Sequence, residues 1–203
     1  MEKRRYIHFV ALTLAVAAIM SSCAYDSYEL SKTVFIPDYE NPGLPIYSEW
    51  GYNTFGMYVD RSTFVSTDHI LPSKIIVNPD TFNIRLSGIY QSVSTTLLIS
   101  VVGYAPRDYP DLISLNDSTI NLRDDNCIIT LRKFSEEAVK LPIIEGYINF
   151  KKAQNLYVDK ELTKTILSGT IQFKTFFDGE PVAITNGRFD LGIGYENFYY
   201  YTR

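Results

Sequence analysis

The clearest pattern in the chain is a strict alternation of apolar and polar residues that occurs twice. Ile144-Glu-Gly146-Tyr-Ile148-Asn-Phe150-Lys151 and Leu167-Ser-Gly169-Thr-Ile171-Gln-Phe173-Lys174 both read apolar-x-Gly-x-Ile-x-Phe-Lys. A period of two places Ile144, Gly146, Ile148 and Phe150 on one face, with Glu145, Tyr147, Asn149 and Lys151 opposite. That is the signature of a strand with one face in water. A glycine at an inward position leaves room for a facing aromatic ring or a bend. Two copies do not make a repeat protein, which needs three or more units. They mark two strands packing on one core layer.

Weaker patterns of the same kind fill the rest of the chain. Residues 33–36 open the domain as a short apolar segment. Pro37, Pro42, Gly43 and Pro45 then make 37–49 a loop. Thr54 to Val65 is an apolar stretch broken by a turn at Asp60-Arg61-Ser62. Lys74 to Asn78 is a short strand stopped by Pro79-Asp80, a turn pair. Thr81 to Ser87 alternates, with Phe82, Ile84 and Leu86 on one face. Thr95 to Gly103 is a continuous apolar run, which predicts a strand buried on both faces. Residues 104–117 are rich in Pro and Asp and read as the longest loop. Thr119 to Leu122 is short, and Asp124-Asp125-Asn126 turns into Cys127 to Arg132, where Cys127, Ile129 and Leu131 share a face. Ser135 to Val139 is a candidate helical turn. Asp178-Gly179 is a hairpin-turn pair leading into a last long strand, Pro181 to Gly194. Phe198-Tyr199-Tyr200-Tyr201 ends the chain as an aromatic run, a candidate for closing a sheet edge or meeting a partner. About nine or ten short strands at this spacing predict an all-β fold, an antiparallel β-sandwich or a barrel-like closed sheet.

The first 32 residues follow another logic. Lys3, Arg4 and Arg5 form a positive start, and Phe9 to Met20 is an apolar run of 12 residues. A bilayer needs about 20, so this is a secretion signal rather than a span. Met20-Ser21-Ser22-Cys23 follows, and it resembles the bacterial lipobox, with Met20 where Leu is commoner. The resemblance implies cleavage after Ser22 and lipidation of Cys23, whose acyl chains would hold the protein in a membrane. The expected organisation is a signal at 1–22, a lipid-anchored tether at 23–32 and a single all-β domain at 33–203. Asp26 and Glu29 in the tether resemble a weak form of the surface-export signal of some Bacteroidota lipoproteins. The face of the membrane on which the domain sits is left open.

Composition narrows the function classes. The chain has 19 Lys and Arg and 23 Asp and Glu. Removing Lys3, Arg4, Arg5 and Glu2 leaves 16 and 22, a net charge of −6 for the mature part. Without basic clusters, nucleic acid is not an expected partner, because neutralising phosphates needs grouped Lys and Arg. The 16 Tyr and 12 Phe, with many Ile, Val and Thr, favour strands. If Cys23 is acylated, Cys127 has no partner in the chain.

Two stretches carry a further resemblance. Tyr47-Ser-Glu-Trp50-Gly51-Tyr52-Asn53-Thr54-Phe55-Gly56 is one; Leu167-Ser-Gly169-Thr-Ile-Gln-Phe followed by Ile184-Thr-Asn-Gly-Arg-Phe-Asp190-Leu191 is the other. Together with the lipobox they resemble uncharacterised lipoproteins of Bacteroidota. The resemblance implies an all-β fold and an outer-membrane location, and carries no catalytic or binding residues.

Candidate chemistry is sparse. After processing, His69 is the one imidazole, and it precedes a Leu-Pro pair; a structural or solvated histidine is the expected role rather than a triad base. One His and one Cys far apart do not make a zinc site. Asp108, Asp111 and Asp117, or Asp124-Asp125-Asn126, could offer oxygens to calcium, but Asp and Asn also start turns by bonding their own backbone. Paired carboxylates for glycoside cleavage cannot be read from the pattern. Cys127 reads as an inert core thiol. Asp117-Ser118-Thr119 resembles a short O-glycosylation acceptor of Bacteroidota. No catalytic residue, metal site or cofactor is expected. The strongest candidate surface is aromatic: Tyr47, Trp50 and Tyr52, with Phe55 and Tyr58 nearby, since flat rings stack on sugar faces and anchor interfaces. The expected function is a lipid-anchored cell-envelope protein with a non-enzymatic binding or structural role. The alternative is a glycan-binding accessory lipoprotein using the surface around Trp50. The expected partners are the membrane, through the anchor, and a glycan or a protein.

Overall fold

The computed structural model describes residues 33–67 and 71–202. The signal, the tether with Cys23, and His69 lie outside the described residues. What is described is a 12-stranded sheet with one short 3-10 helix.

The strands are β1 (Thr54–Val59), β2 (Ser62–Val65), β3 (Ser73–Asn78), β4 (Thr81–Tyr90), β5 (Val93–Val102), β6 (Ser118–Asn121), β7 (Cys127–Lys133), β8 (Val139–Leu141), β9 (Ile143–Val158), β10 (Glu161–Phe177), β11 (Glu180–Ile193) and β12 (Phe198–Tyr200). They are hydrogen-bonded in the order β6-β9-β10-β11-β1-β2-β4-β5-β7-β8, with β3 also on β4 and β12 on the outer side of β3. Every pairing is antiparallel except β12 with β3, where the terminal aromatic run adds a parallel edge at Ile75–Val77. The sheet curls into a half-barrel. Its two ends are β6 and β8, and among the described residues no ladder joins them.

The paired motif explains the centre of the sheet. The two copies are hydrogen-bonded neighbours, with Ile148 opposite Ile171, Phe150 opposite Gly169 and Gly146 opposite Phe173. Each glycine therefore faces the other copy's phenylalanine. A Cβ on Gly146 would sit 2.2 Å from the Phe173 Cβ, and one on Gly169 would sit 2.6 Å from the Phe189 ring. Phe150 and Phe189 pack edge to face at 5.7 Å in the space that remains.

The concave side carries the core. Phe55, Met57, Phe64, Ile75, Phe82, Ile84, Leu97, Ile99, Ile148, Ile171, Phe189 and Leu191 are all buried there. Each is worth about 1.5–3 kcal/mol of burial against exposure. The core is continuous because each strand alternates: in β5, Thr95, Leu97, Ile99 and Val101 are buried, while Thr96, Leu98 and Ser100 are half-buried.

Three local expectations are corrected. The run Thr95 to Gly103 is fully buried on one face, not two. Lys164 to Gly169 in β10 and Phe189 to Ile193 in β11 are each buried on both faces, with Gly51 packed on Ile166 and Gly192 and Ser48 bonded to Asp190 on the outer side. Residues 33–53 form a strap, its backbone bonds including Val34 N–H to Tyr52 O, Ile46 N–H to Ile36 O and the Pro37–Pro45 bridge. The expected loop at 104–117 contains the 3-10 helix, Tyr109–Leu115, started by a capping box between Asp108 and Asp111 with Pro110 in the first turn. Its Tyr109, Leu112 and Leu115 are buried against the core, which is why the segment is ordered. Residues 134–136 turn, and the chain enters β8 at Val139 without a helical turn.

Candidate functional site

The segment 47–53 crosses the outer face of β10 and β11, and one carboxylate holds it there. Asp190 lies in β11 between Phe189 and Leu191, which face the core, so its side chain points outward. It is 1% exposed. The Asp190 carboxylate accepts from the backbone N–H of Gly51 at 2.7 Å and of Trp50 and Tyr52 at 3.2 Å. It also accepts from the hydroxyls of Ser48 and, at 2.7 Å, of Ser168 on β10. Three successive amides can converge on one anion only if the backbone curls, and Gly51 (φ +74°) and Asn53 (φ +55°) provide the left-handed steps. Asn53 is itself buried, and its side-chain oxygen accepts from the Gly192 N–H at 2.9 Å.

This loop presents Trp50 to solvent, with 74% of the residue exposed. Burying such a ring would be favourable, so an exposed tryptophan on a tightly held backbone is the informative observation. Tyr47 and Tyr52 are half-buried beside it. The Tyr47 hydroxyl donates to Glu49 at 2.8 Å. Burial, and then that bond to the Glu49 carboxylate, push the Tyr47 phenol well above its ordinary range. Lys151 Nζ lies 5.0 Å from the centre of the Tyr47 ring, and Lys152 pairs with Glu49 at 3.3 Å. Neighbouring residues of a strand normally point to opposite faces. Here both lysines reach the same loop, because the register slips between Phe150 and Lys152 against Gly169 and Ser168. The bulge adds one residue and turns both side chains outward.

Of the aromatic residues singled out in the sequence, Trp50 is exposed and Tyr47 and Tyr52 are half-buried on the same strap segment. Phe55 faces the other way, into the core, and Tyr58 reaches back to donate to the Pro42 carbonyl at 3.0 Å. The residues that sequence reasoning missed are Asp190, Ser168, Ser48 and the two lysines. One signal was available: Tyr47–Gly56, Leu167–Phe173 and Ile184–Leu191, the stretches that carry the resemblance, all meet at Asp190.

The other candidates have local duties. Asp108 and Asp111 cap the 3-10 helix, with Asp111 accepting from the Arg107 and Asp108 N–H groups. Asp124 accepts from the Asn121 amide at 2.8 Å within its turn. Cys127 is half-buried, and burial pushes its thiol up, away from the reactive thiolate. The Ser118 hydroxyl donates to the Leu115 carbonyl at 2.6 Å. Among the described residues no group of three or more His, Cys, Asp and Glu gathers as a metal site, and no helix is long and apolar enough to cross a membrane.

Two concavities complete the surface. One end of the half-barrel leaves an apolar cavity of about 30 Å³ among Met57, Phe64, Leu97, Leu131, Phe173 and Phe177, the size of a single water. A wider groove of about 400 Å³ lies on the outer face, between Glu145, Tyr147, Gln172, Lys174, Ala183 and Thr185.

No family model matches the chain, and no curated protein or solved structure is similar to it.

Proposed function

We propose that this chain is a lipid-anchored protein of the bacterial cell envelope, held at the outer membrane through Cys23. Its β-domain would serve binding rather than catalysis, and the binding surface is the patch of Trp50, Tyr47 and Tyr52. The ligand class that fits this patch is a glycan. The observation that carries the reading is the exposed ring of Trp50 on a backbone pinned by Asp190. A ring held in place loses little conformational freedom when a sugar stacks on it, so more of the contact energy appears as affinity. Around it, Lys151, Lys152 and Glu49 supply hydrogen-bond donors and acceptors of the kind hydroxyl groups need. The link to Bacteroidota lipoproteins rests on the resemblance in the sequence.

The test is direct because Trp50 is the sole tryptophan of the chain. Titrating plant and host oligosaccharides while following its fluorescence should find a sugar that shifts or quenches the emission. By calorimetry, since this variant has lost the fluorophore, Trp50→Ala should weaken that binding by about tenfold, the loss of one stacking contact, and leave the fold intact. A Trp50→Ala protein that stays folded and retains glycans sinks the proposal. For the anchor, Cys23→Ala should move the protein out of the membrane fraction; a variant still bound to membranes would remove that part.

A further inference from the structure

The patch around Trp50 does not end at the loop. On β9 and β10, the side chains facing outward below it are Asn149 and Thr170, then Tyr147 and Gln172, then Glu145 and Lys174. The last four line the 400 Å³ groove, within the range of small-ligand sites. The groove lies where two ladders fall out of register. The β10–β11 register slips between Ile171 and Phe173, and the β9–β10 register slips again at Lys174 and Thr175. Together these dent the sheet surface.

The groups in the dent are held in place. Gln172 Nε2 donates to the Tyr147 hydroxyl at 2.7 Å, which orients the phenol ring and leaves the Gln172 carbonyl oxygen to accept and the Tyr147 O–H to donate. Lys174 and Glu145 pair at 2.7 Å. Tyr147 is 39% exposed, so one side of its ring is open to a ligand. A flat ring beside fixed donors and acceptors is what a sugar requires. Glu49 pairs with Lys152 and Glu145 with Lys174, which leaves Lys151, over the Tyr47 ring, as one positive charge on the strip, too little to draw a polyanion. The matching ligand is therefore neutral. Lys152 and Tyr147 are separated by roughly 13–16 Å at about 3.3 Å per residue, the reach of a short oligosaccharide.

We propose that the groove at Tyr147, Gln172, Glu145 and Lys174 is the far subsite of an extended site for a linear neutral oligosaccharide whose near subsite is Trp50. This rests on the glycan reading of the Trp50 patch. The experiment uses the full-length chain in detergent and isothermal calorimetry, with di- and hexasaccharides of the cello-, xylo-, manno- and malto- series as probes. The expected result is a series in which the hexasaccharide binds at least about tenfold tighter than the disaccharide. Tyr147→Ala and Gln172→Ala should each cut that gain while leaving the disaccharide affinity unchanged. Equal affinity for short and long chains, or hexasaccharide binding untouched in both folded variants, overturns the far subsite and leaves the Trp50 reading standing. If none of these sugars binds, the far subsite falls, and the Trp50 reading falls with it only where the fluorescence titration of plant and host oligosaccharides also finds none.

Discussion

At the scale of single residues, the fold depends on positions that look ordinary in the sequence. Asp190 is the clearest. It is buried, and its two oxygens take five donors, four of them from the loop that shows Trp50. Asp190→Asn keeps the shape, removes the charge and turns one acceptor into a donor aimed at other donors. Charge-assisted bonds contribute about 1.5–3 kcal/mol each, and the loss is shared across the cluster, so a destabilisation of about 3 kcal/mol is expected. Denaturant midpoints would measure it, and a change within about 0.5 kcal/mol, the usual size of a surface substitution, would show that the cluster does not hold the loop. Gly146 is the second case. A methyl there collides with Phe173 and forces a backbone angle that side chains rarely adopt. Gly146→Ala should cost about 3 kcal/mol, combining overpacking and backbone strain. Trp50→Ala is the contrast: with most of its ring in water, its removal should move stability by less than about 0.5 kcal/mol.

At the scale of elements, the long hairpins are closed by two-residue turns with positive φ at both positions: Gln91-Ser92 (+49°, +67°), Asp159-Lys160 (+51°, +71°) and Asp178-Gly179 (+52°, +84°). This geometry matches the twist of the strands, and Asn-Gly suits it best. The sequence announced the Asp178-Gly179 turn and hid the other two, because Gln-Ser and Asp-Lys are not typical pairs for it. Replacing Gln91-Ser92 by Asn-Gly should therefore stabilise the protein by about 1 kcal/mol. An unchanged or lower melting temperature would mean that the β4–β5 hairpin gains more from those side chains than it loses in backbone strain. The strap is the element whose course periodicity does not draw, beyond marking 37–49 as a loop. Residues 33–53 make few ladder bonds and lie across other strands, held at one end by Asp190 and at the other by the Asp38–Arg188 ion pair. A segment positioned by distant side chains has no period of its own to detect.

At the scale of the whole molecule, several tyrosines bridge core and surface. Burial raises the phenols of Tyr47, Tyr90, Tyr104 and Tyr109, the last pushed up to about 12. An unfolded tyrosine ionises at about 10. The folded state therefore keeps these protons longer, and the stability they contribute is complete below about pH 10 and falls as the pH rises above it. Denaturant midpoints taken from about pH 8 to 11 should drop steeply past 10 while tyrosinate absorbance appears together with unfolding. A flat profile would mean that the tyrosines ionise in place.

The all-β class and most strands were legible in the chain, because a pleated strand with one wet face imposes a period of two on its residues. The two Gly-x-Ile-x-Phe motifs were legible as strands of one core layer with space for an aromatic at each glycine, while their pairing with each other comes from the fold. The aromatic residues Tyr47, Trp50 and Tyr52 were also visible as a candidate surface, and the signal and Cys23 are expectations of the sequence alone. What only the tertiary structure decided is which ring faces water, which segment covers β10, and that Asp190 closes the site from about 140 residues away. Ladder order, bulges and the placing of a strap depend on contacts between distant residues, and a periodic pattern reports only on neighbours along one strand.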